Sequence, residues 1–218
     1  MSLLNWLDNL DKALFVLIQH DSDHSVLDRI MPLLRDPYTW IPLYVFMLVY
    51  IFFKDRNKAL PFIALSLLTF AITDSVTAQV LKPFFGRLRP CHDPEMQASL
   101  RNLVDCSGLY SMPSNHAANH FGLAAFWFFS LRSVTGKNPR SITGKKWRWL
   151  WFWAAAVCYA QIYVGKHYPF DTAVGSLMGF LTGLGMSRVF LYWENRQNHR
   201  PPFYRQPFSK SPEIGSGL

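Results

Sequence analysis

Long apolar blocks separated by short clusters of charge constrain this chain more than any average over it does. Half of its 218 residues are apolar and 17% are charged, and the mean hydropathy of +0.06 would also describe a soluble enzyme. The distribution is what differs: the charges gather in the gaps between apolar runs, the pattern of a polytopic membrane protein. A net charge of +8 would suggest a nucleic-acid partner if the basic residues shared one face. They lie in the gaps instead, so no nucleic acid is expected. Eight Trp, nine Tyr and eighteen Phe suit a chain with aromatic belts at two membrane interfaces. Three Cys are too few for a disulfide-built scaffold. The first apolar run lacks the basic flank and small-residue cleavage site of a removable signal peptide.

The fold class expected is therefore all-α, a membrane helical bundle. Residues 1–37 read as two amphipathic helices lying in the interface plane. The first has Leu3, Leu4, Leu7, Leu10, Leu14, Leu17 and Ile18 on one face and Asn5, Asp8, Asn9 and Lys12 on the other. The second has Val26, Leu27, Ile30, Met31 and Leu34 as its stripe, with Ser22 or Asp23 as N-cap. Five spans follow within 38–194: Tyr38–Phe53, Ala59–Leu81, Ala117–Val134, Trp147–Val164 and Thr172–Trp193. A sixth is conceivable if Ala13–Ile18 enters the bilayer with its neighbours. Residues 195–218 form a basic, Pro-rich tail expected to be disordered along the inner surface.

Most of the 22 basic residues fall in the 54–58 and 132–148 links and in the tail, which places these segments in the cytoplasm. The 82–116 loop, the 165–171 turn and the N-terminal helices then face outward. Cys91 and Cys106 share that outward loop, where an oxidising compartment permits a disulfide. Cys158 lies within a span and reads as packing.

Three polar clusters meet on the outward side. Lys82 and Arg89 offer two fixed positive charges, and Arg suits phosphate oxygens through its planar fork. Ser114 and the backbone amide of Asn115 stand where a helix begins, a place that favours anions. His116 lies in that first turn, placed to protonate a leaving oxygen. His167 and Asp171 are four apart, so on one helical face the carboxylate can hold an imidazole whose other nitrogen attacks phosphorus. Taken singly these residues have ordinary readings: Lys82 a snorkelling side chain, Ser114 or Asp171 a helix cap. Asp74, inside the second span, reads as a structural hydrogen-bonding group, and His92 and His120 as neighbours of the site.

In these motifs the chain resembles the type 2 phosphatidic acid phosphatase (PAP2) superfamily of integral-membrane lipid phosphatases. Lys82, Arg89 and Pro90 match its K-x6-R-P motif; Pro113, Ser114 and His116 match P-S-G-H, with Asn115 at the Gly; His167 and Asp171 match the end of S-R-x5-H-x3-D. The resemblance covers roughly residues 24–193. It implies a phosphohistidine on His167 oriented by Asp171, with His116 as acid and then base. Lys82, Arg89, Ser114 and Asn115 would hold the equatorial oxygens. It implies no metal and no cofactor, a membrane lipid as partner within the bilayer, and no obligate protein partner. It also implies a bacterial inner-membrane enzyme whose site faces the periplasm, acting on undecaprenyl diphosphate, lipid A phosphate, phosphatidate or phosphatidylglycerophosphate.

One departure matters. Gln161 stands where the motif has Arg, and Ala160 where it has Ser. Losing a charge-assisted contact costs ~1.5–3 kcal/mol. Lys166, Arg87 and Arg101 are the candidates to restore the charge. A phosphotransferase, or a lipid-phosphate-binding protein without activity, is the alternative reading.

Overall fold

The computed structural model describes residues 3–20, 25–101, 103–134 and 146–198. Helices supply nearly all their regular structure. The order is α1 (Leu3–His20), α2 (Ser25–Arg35), a 3-10 turn (Pro37–Trp40), α3 (Ile41–Lys54) and α4 (Arg56–Ser75). α4 continues through a π-helical segment (Val76–Leu81) into the short α5 (Lys82–Phe85). After the loop of residues 86–114 come α6 (Asn115–Val134), α7 (Trp149–Tyr163) and α8 (Pro169–Asn198). Among the described residues, three stretches are long and apolar enough to cross a membrane: Pro37–Lys54, Arg56–Phe85 and Pro169–Gln197. Of the other two expected spans, α6 opens with Asn115, His116, Asn119 and His120, and α7 has 15 residues. α8 runs to Asn198, past the boundary drawn at 194, and the tail beyond it lies outside the described residues. So do the expected N-caps Ser22 and Asp23.

The centre of the bundle is the contact between α6 and α8. Gly175, Gly179 and Gly183 recur every four residues, so they form one bare stripe along α8. A Cβ on Gly179 would stand 2.1 Å from the carbonyl oxygen of Ala118, and one on Gly183 would stand 2.1 Å from that of Gly122. One on Gly175 would meet the Ser114 carbonyl oxygen at 2.5 Å. The two backbones therefore touch, as small-residue stripes allow between helices in lipid.

Around this seam the buried core is largely aromatic. Trp127 and Trp153 stack in parallel with centroids 5.9 Å apart, and Tyr44 meets both edge-on. The Trp127 indole N–H donates to Ser66 Oγ at 3.0 Å, so a buried polar atom keeps its partner. Outward from this core, Leu60, Leu67, Phe152, Leu177, Leu181 and Tyr192 are exposed, a surface suited to lipid tails.

The N-terminal helices form where the sequence pattern puts them, and α1 turns its polar side to the protein. Asp11, Phe15 and Gln19, at i, i+4 and i+8, are buried, while Leu3, Leu10, Leu14 and Leu17 are exposed. The polar side faces protein because partners wait there: Lys12 pairs with Glu95 at 2.7 Å, and Arg87 pairs with Asp8 at 2.9 Å and Asp11 at 2.6 Å. Gln19 Nε2 donates to the carbonyls of Ile162 (3.0 Å) and Tyr163 (2.7 Å), capping the end of α7. In α2 the expected stripe is buried on one side only, with Met31 packed against Ala160, Tyr163 and Val164 while Val26 and Ile30 are exposed.

Gly179→Ala should destabilise the bundle by about 1–3 kcal/mol, the usual range for overpacking, read as a lower Tm in detergent. Gly185→Ala is the contrast, because a Cβ there meets nothing within 4 Å. It should leave Tm unchanged or raise it, since Ala is the better helix former.

Candidate active site

The first cluster is built on one strand-like turn. Leu88 and Tyr110 form an isolated antiparallel bridge, which lays residues 109–111 beside 87–89. Lys82 Nζ donates to the carbonyls of Tyr110 (3.1 Å) and Ser111 (3.2 Å), and Arg89 Nε donates to the same Tyr110 oxygen (3.2 Å). One carbonyl thus gathers both cations. Gly108, at φ +76°, turns the chain beneath the Arg89 guanidinium, a backbone geometry that suits glycine.

The second and third clusters are joined by backbone. Ser114 N–H donates to the Asp171 carbonyl at 3.0 Å, pinning the start of α6 to the first turn of α8. Ser114 is fully buried and its Oγ accepts from Ala117 N at 3.4 Å. Asp171 sits third in α8, after Pro169 at the first helical position, and accepts from Tyr168 N–H at 2.8 Å, which caps the helix. Its other oxygen accepts from Arg87 at 3.0 Å. His167 Nδ1 lies 3.7 Å from Asp171 Oδ2, longer than a hydrogen bond. The turn that carries His167 is closed by Lys166 and His167 N–H groups donating to the Gln161 carbonyl at 3.1 and 3.3 Å. Gly165, at φ +77°, makes that turn possible.

The surroundings of this turn are positively charged and short of partners. Burial pushes the His167 imidazole down to about 4; Arg89 and Lys82 reinforce this and Asp171 opposes it. Lys166 is 1% exposed, and burial, then Arg89 and Arg35, bring its ammonium down to about 8. Several buried polar atoms lack a hydrogen-bond partner: Lys166 Nζ, both side-chain amide atoms of Gln161, His167 Nδ1 and Arg35 Nε. Buried donors are ordinarily satisfied, so the unpartnered Lys166 Nζ, Gln161 Nε2 and Arg35 Nε stand out among the described residues.

His116 lies in the first turn of α6, where the charges of His167, Arg35 and Arg89 act on it. His120 stacks on it with ring centroids 6.3 Å apart, and its Nδ1 lies 2.8 Å from the His116 carbonyl. His120 is therefore held in place behind His116. The Asn115 side chain is engaged by α4: its Nδ2 donates to Asp74 Oδ1 at 3.0 Å, as does Asn119 Nδ2. That pair of bonds gives Asp74 its structural role. Cys91 and Cys106 are bonded to each other within the 86–114 loop.

Two of the three cations expected to stand in for the missing motif Arg are engaged elsewhere. Arg87 is held by Asp8, Asp11 and Asp171, and Arg101 pairs with Asp28. Lys166 remains available. Sequence reasoning missed Arg35 and Asp11 as contributors, and it took Arg87 as a substitute for the missing motif charge when its place is on the Asp171 carboxylate. The spacing of Arg87 from Arg89 carries no sign that a carboxylate on α1 would capture it.

The comparisons agree with this geometry. A family model described as the PAP2 superfamily matches residues 62–195. The chain is 28% identical over 196 residues to a lipid A 4'-phosphatase of Porphyromonas gingivalis, spanning 88% of this chain and 78% of that protein. It is 30% identical over 188 residues to a lipid A 4'-phosphatase of Bacteroides thetaiotaomicron, spanning 83% and 77%. The crystal structure of Aquifex aeolicus LpxE superposes with a TM-score of 0.57 at 25% identity, covering 82% of this chain and 95% of that one. With its three motif segments folded onto one another, this chain belongs to the PAP2 superfamily.

Proposed function

We propose that this chain is a membrane phosphatase that hydrolyses a lipid phosphate, with lipid A phosphate as the favoured substrate class and a lipid diphosphate as its nearest competitor. The observation that carries the reading is the meeting of the three motif segments: Ser114 N–H on the Asp171 carbonyl, Arg87 on the Asp171 carboxylate, and unpartnered buried donors beside them. The similarity to two lipid A 4'-phosphatases supports the choice of lipid.

In this reading His167 Nε2 attacks phosphorus in line. The bond from phosphorus to the lipid oxygen breaks, and that oxygen takes a proton from His116. His116 then removes a proton from water, which attacks phosphorus and releases His167. Asp171 steadies the imidazolium, closing its 3.7 Å gap as charge develops. Lys82, Arg89, Ser114 Oγ and the Asn115 amide hold the oxygens, and Gln161 contributes an uncharged donor. No step calls on a metal or cofactor.

The bundle would cross the membrane five times, through α3, α4–α5, α6, α7 and α8, with α1 and α2 lying across the outer end. The Lys12 and Gln19 contacts of α1 with the outer loop and the end of α7 support that placement over a sixth span. The site would open to the periplasmic side of a bacterial inner membrane, which the basic inner links and the Cys91–Cys106 bond both favour.

A phosphate-release panel on the four lipid classes, with full-length protein in detergent, tests the reading. His167→Ala should lose about 10³-fold or more in kcat/KM, and retained activity would remove His167 as nucleophile. Binding without release from all four lipids would favour the inactive binding protein, and phosphate appearing on an added acceptor lipid would favour transfer. The pH profile has a sign as well. His167 must be neutral to attack, and burial holds its imidazole down to about 4. The acid limb of kcat/KM should therefore lie near pH 4, far below that of an ordinary His at about 6.5. Peptide mass mapping under non-reducing conditions should recover Cys91 joined to Cys106; free thiols in native membranes would count against the outward placement.

A further inference from the structure

Gln161 leaves the site one charge short of its family pattern, and the structure offers a replacement from another part of the chain. α2 packs along α7: Asp28 accepts from the Tyr163 hydroxyl at 2.7 Å, and Met31 lies against Ala160 and Val164. Arg35 follows Met31 by four residues, so it continues the same face of α2. Side chains on a helix lean toward its N-terminus, which carries Arg35 back toward the Met31 contact with α7. Gln161 adjoins Ala160 on that part of α7. The end of α2 is fixed, because the Trp40 indole N–H donates to the Leu34 carbonyl at 2.8 Å.

Among the described residues Arg35 is attracted by the neighbouring Asp36, and its Nε is buried without a hydrogen-bond partner. The nearest acid in sequence, Asp36, has its carboxylate on Tyr38 N–H at 3.1 Å, capping the 3-10 turn. The charge of Arg35 is felt by His116, Arg89 and Lys166, members of all three motif segments. Three like charges, those of Arg35, Arg89 and Lys166, repel one another, and an anion lying between them would relieve that repulsion.

We propose that Arg35, with Lys166 beside it, binds the substrate phosphate in place of the motif arginine that Gln161 replaces, so that the phosphate site is completed by the N-terminal helix α2. The inference rests on the reading of this site as phosphate-binding, and it adds a residue lying outside the family-matched segment of 62–195. The chemistry recognised is a tetrahedral phosphoryl group, whether a sugar phosphate on a lipid or free inorganic phosphate.

The test uses the full chain in detergent and two readouts: dissociation constants for inorganic phosphate, and kcat and KM on whichever lipid the panel shows to be hydrolysed. Arg35→Gln should weaken inorganic phosphate and raise KM by about tenfold or more, the loss expected for one charge-assisted contact. Arg35→Lys should retain most of the affinity. Gln161→Arg placed in the Arg35→Gln background should restore it to within about threefold of the natural chain, because the charge returns to the same pocket. A Tm matching that of the natural chain shows that the loss is local. If Arg35→Gln unfolds, the Arg35→Lys and Gln161→Arg/Arg35→Gln proteins carry the same comparison. Unchanged phosphate affinity in Arg35→Gln overturns the proposal, and so does a folded double variant that regains none of the lost affinity. If the natural chain binds inorganic phosphate through Arg35 but hydrolyses no lipid, the phosphatase reading fails and the Arg35 assignment stands.

Discussion

The bare stripe of Gly175, Gly179 and Gly183 is the constraint on which the rest of the structure depends. Within lipid there is little hydrophobic drive to press helices together, so contact must come from close packing. Removing side chains from one face of α8 lets it lie directly on the backbone of α6. That contact sets the height of both helix starts. It is why Ser114 N–H can reach the Asp171 carbonyl, and why the two histidine-bearing segments stand side by side. A wider separation would leave every side chain in place on its own helix and dissolve the site.

A second layer surrounds this seam at the end that carries the site, made of ion pairs. Arg87 ties Asp171 in α8 to Asp8 and Asp11 in α1, and the Phe170 amide donates to Asp11 at 2.9 Å. Asp11 is fully buried, where a carboxylate persists only with such partners. The arrangement explains why the polar side of α1 faces the protein. Its acids hold Arg87, and Leu3, Leu10, Leu14 and Leu17 are exposed on the opposite side.

Much of this was legible in the sequence, and the gaps have physical reasons. The apolar blocks gave the helices, and motif spacing brought Lys82, Arg89, Ser114, His116, His167 and Asp171 to one end. Periodicity also located α1 and α2. It could not say which side of α1 faces protein, because in a membrane protein the apolar face can be the outer one. Nor could spacing reveal the partners of Arg87 or the arrival of Arg35, since both depend on how α1 and α2 dock across the bundle. The glycine stripe was visible at four-residue intervals, yet its meaning required knowing that α6 lies against it. Asn115 is the reverse case: as a departure from the motif it drew attention to the site, while its side chain serves Asp74 and the joint between α4 and α6.

The Tyr110 carbonyl oxygen accepts from Lys82 and Arg89 together. Two cations tethered to a single peptide unit cannot be adjusted separately, since rotating that unit moves both anchors. Substitutions in residues 107–112 will therefore act on the pair as one object, and truncating either cation will disturb the alignment of the other. The measured effects of the two will fail to sum, so neither can be assigned a private share of phosphate affinity.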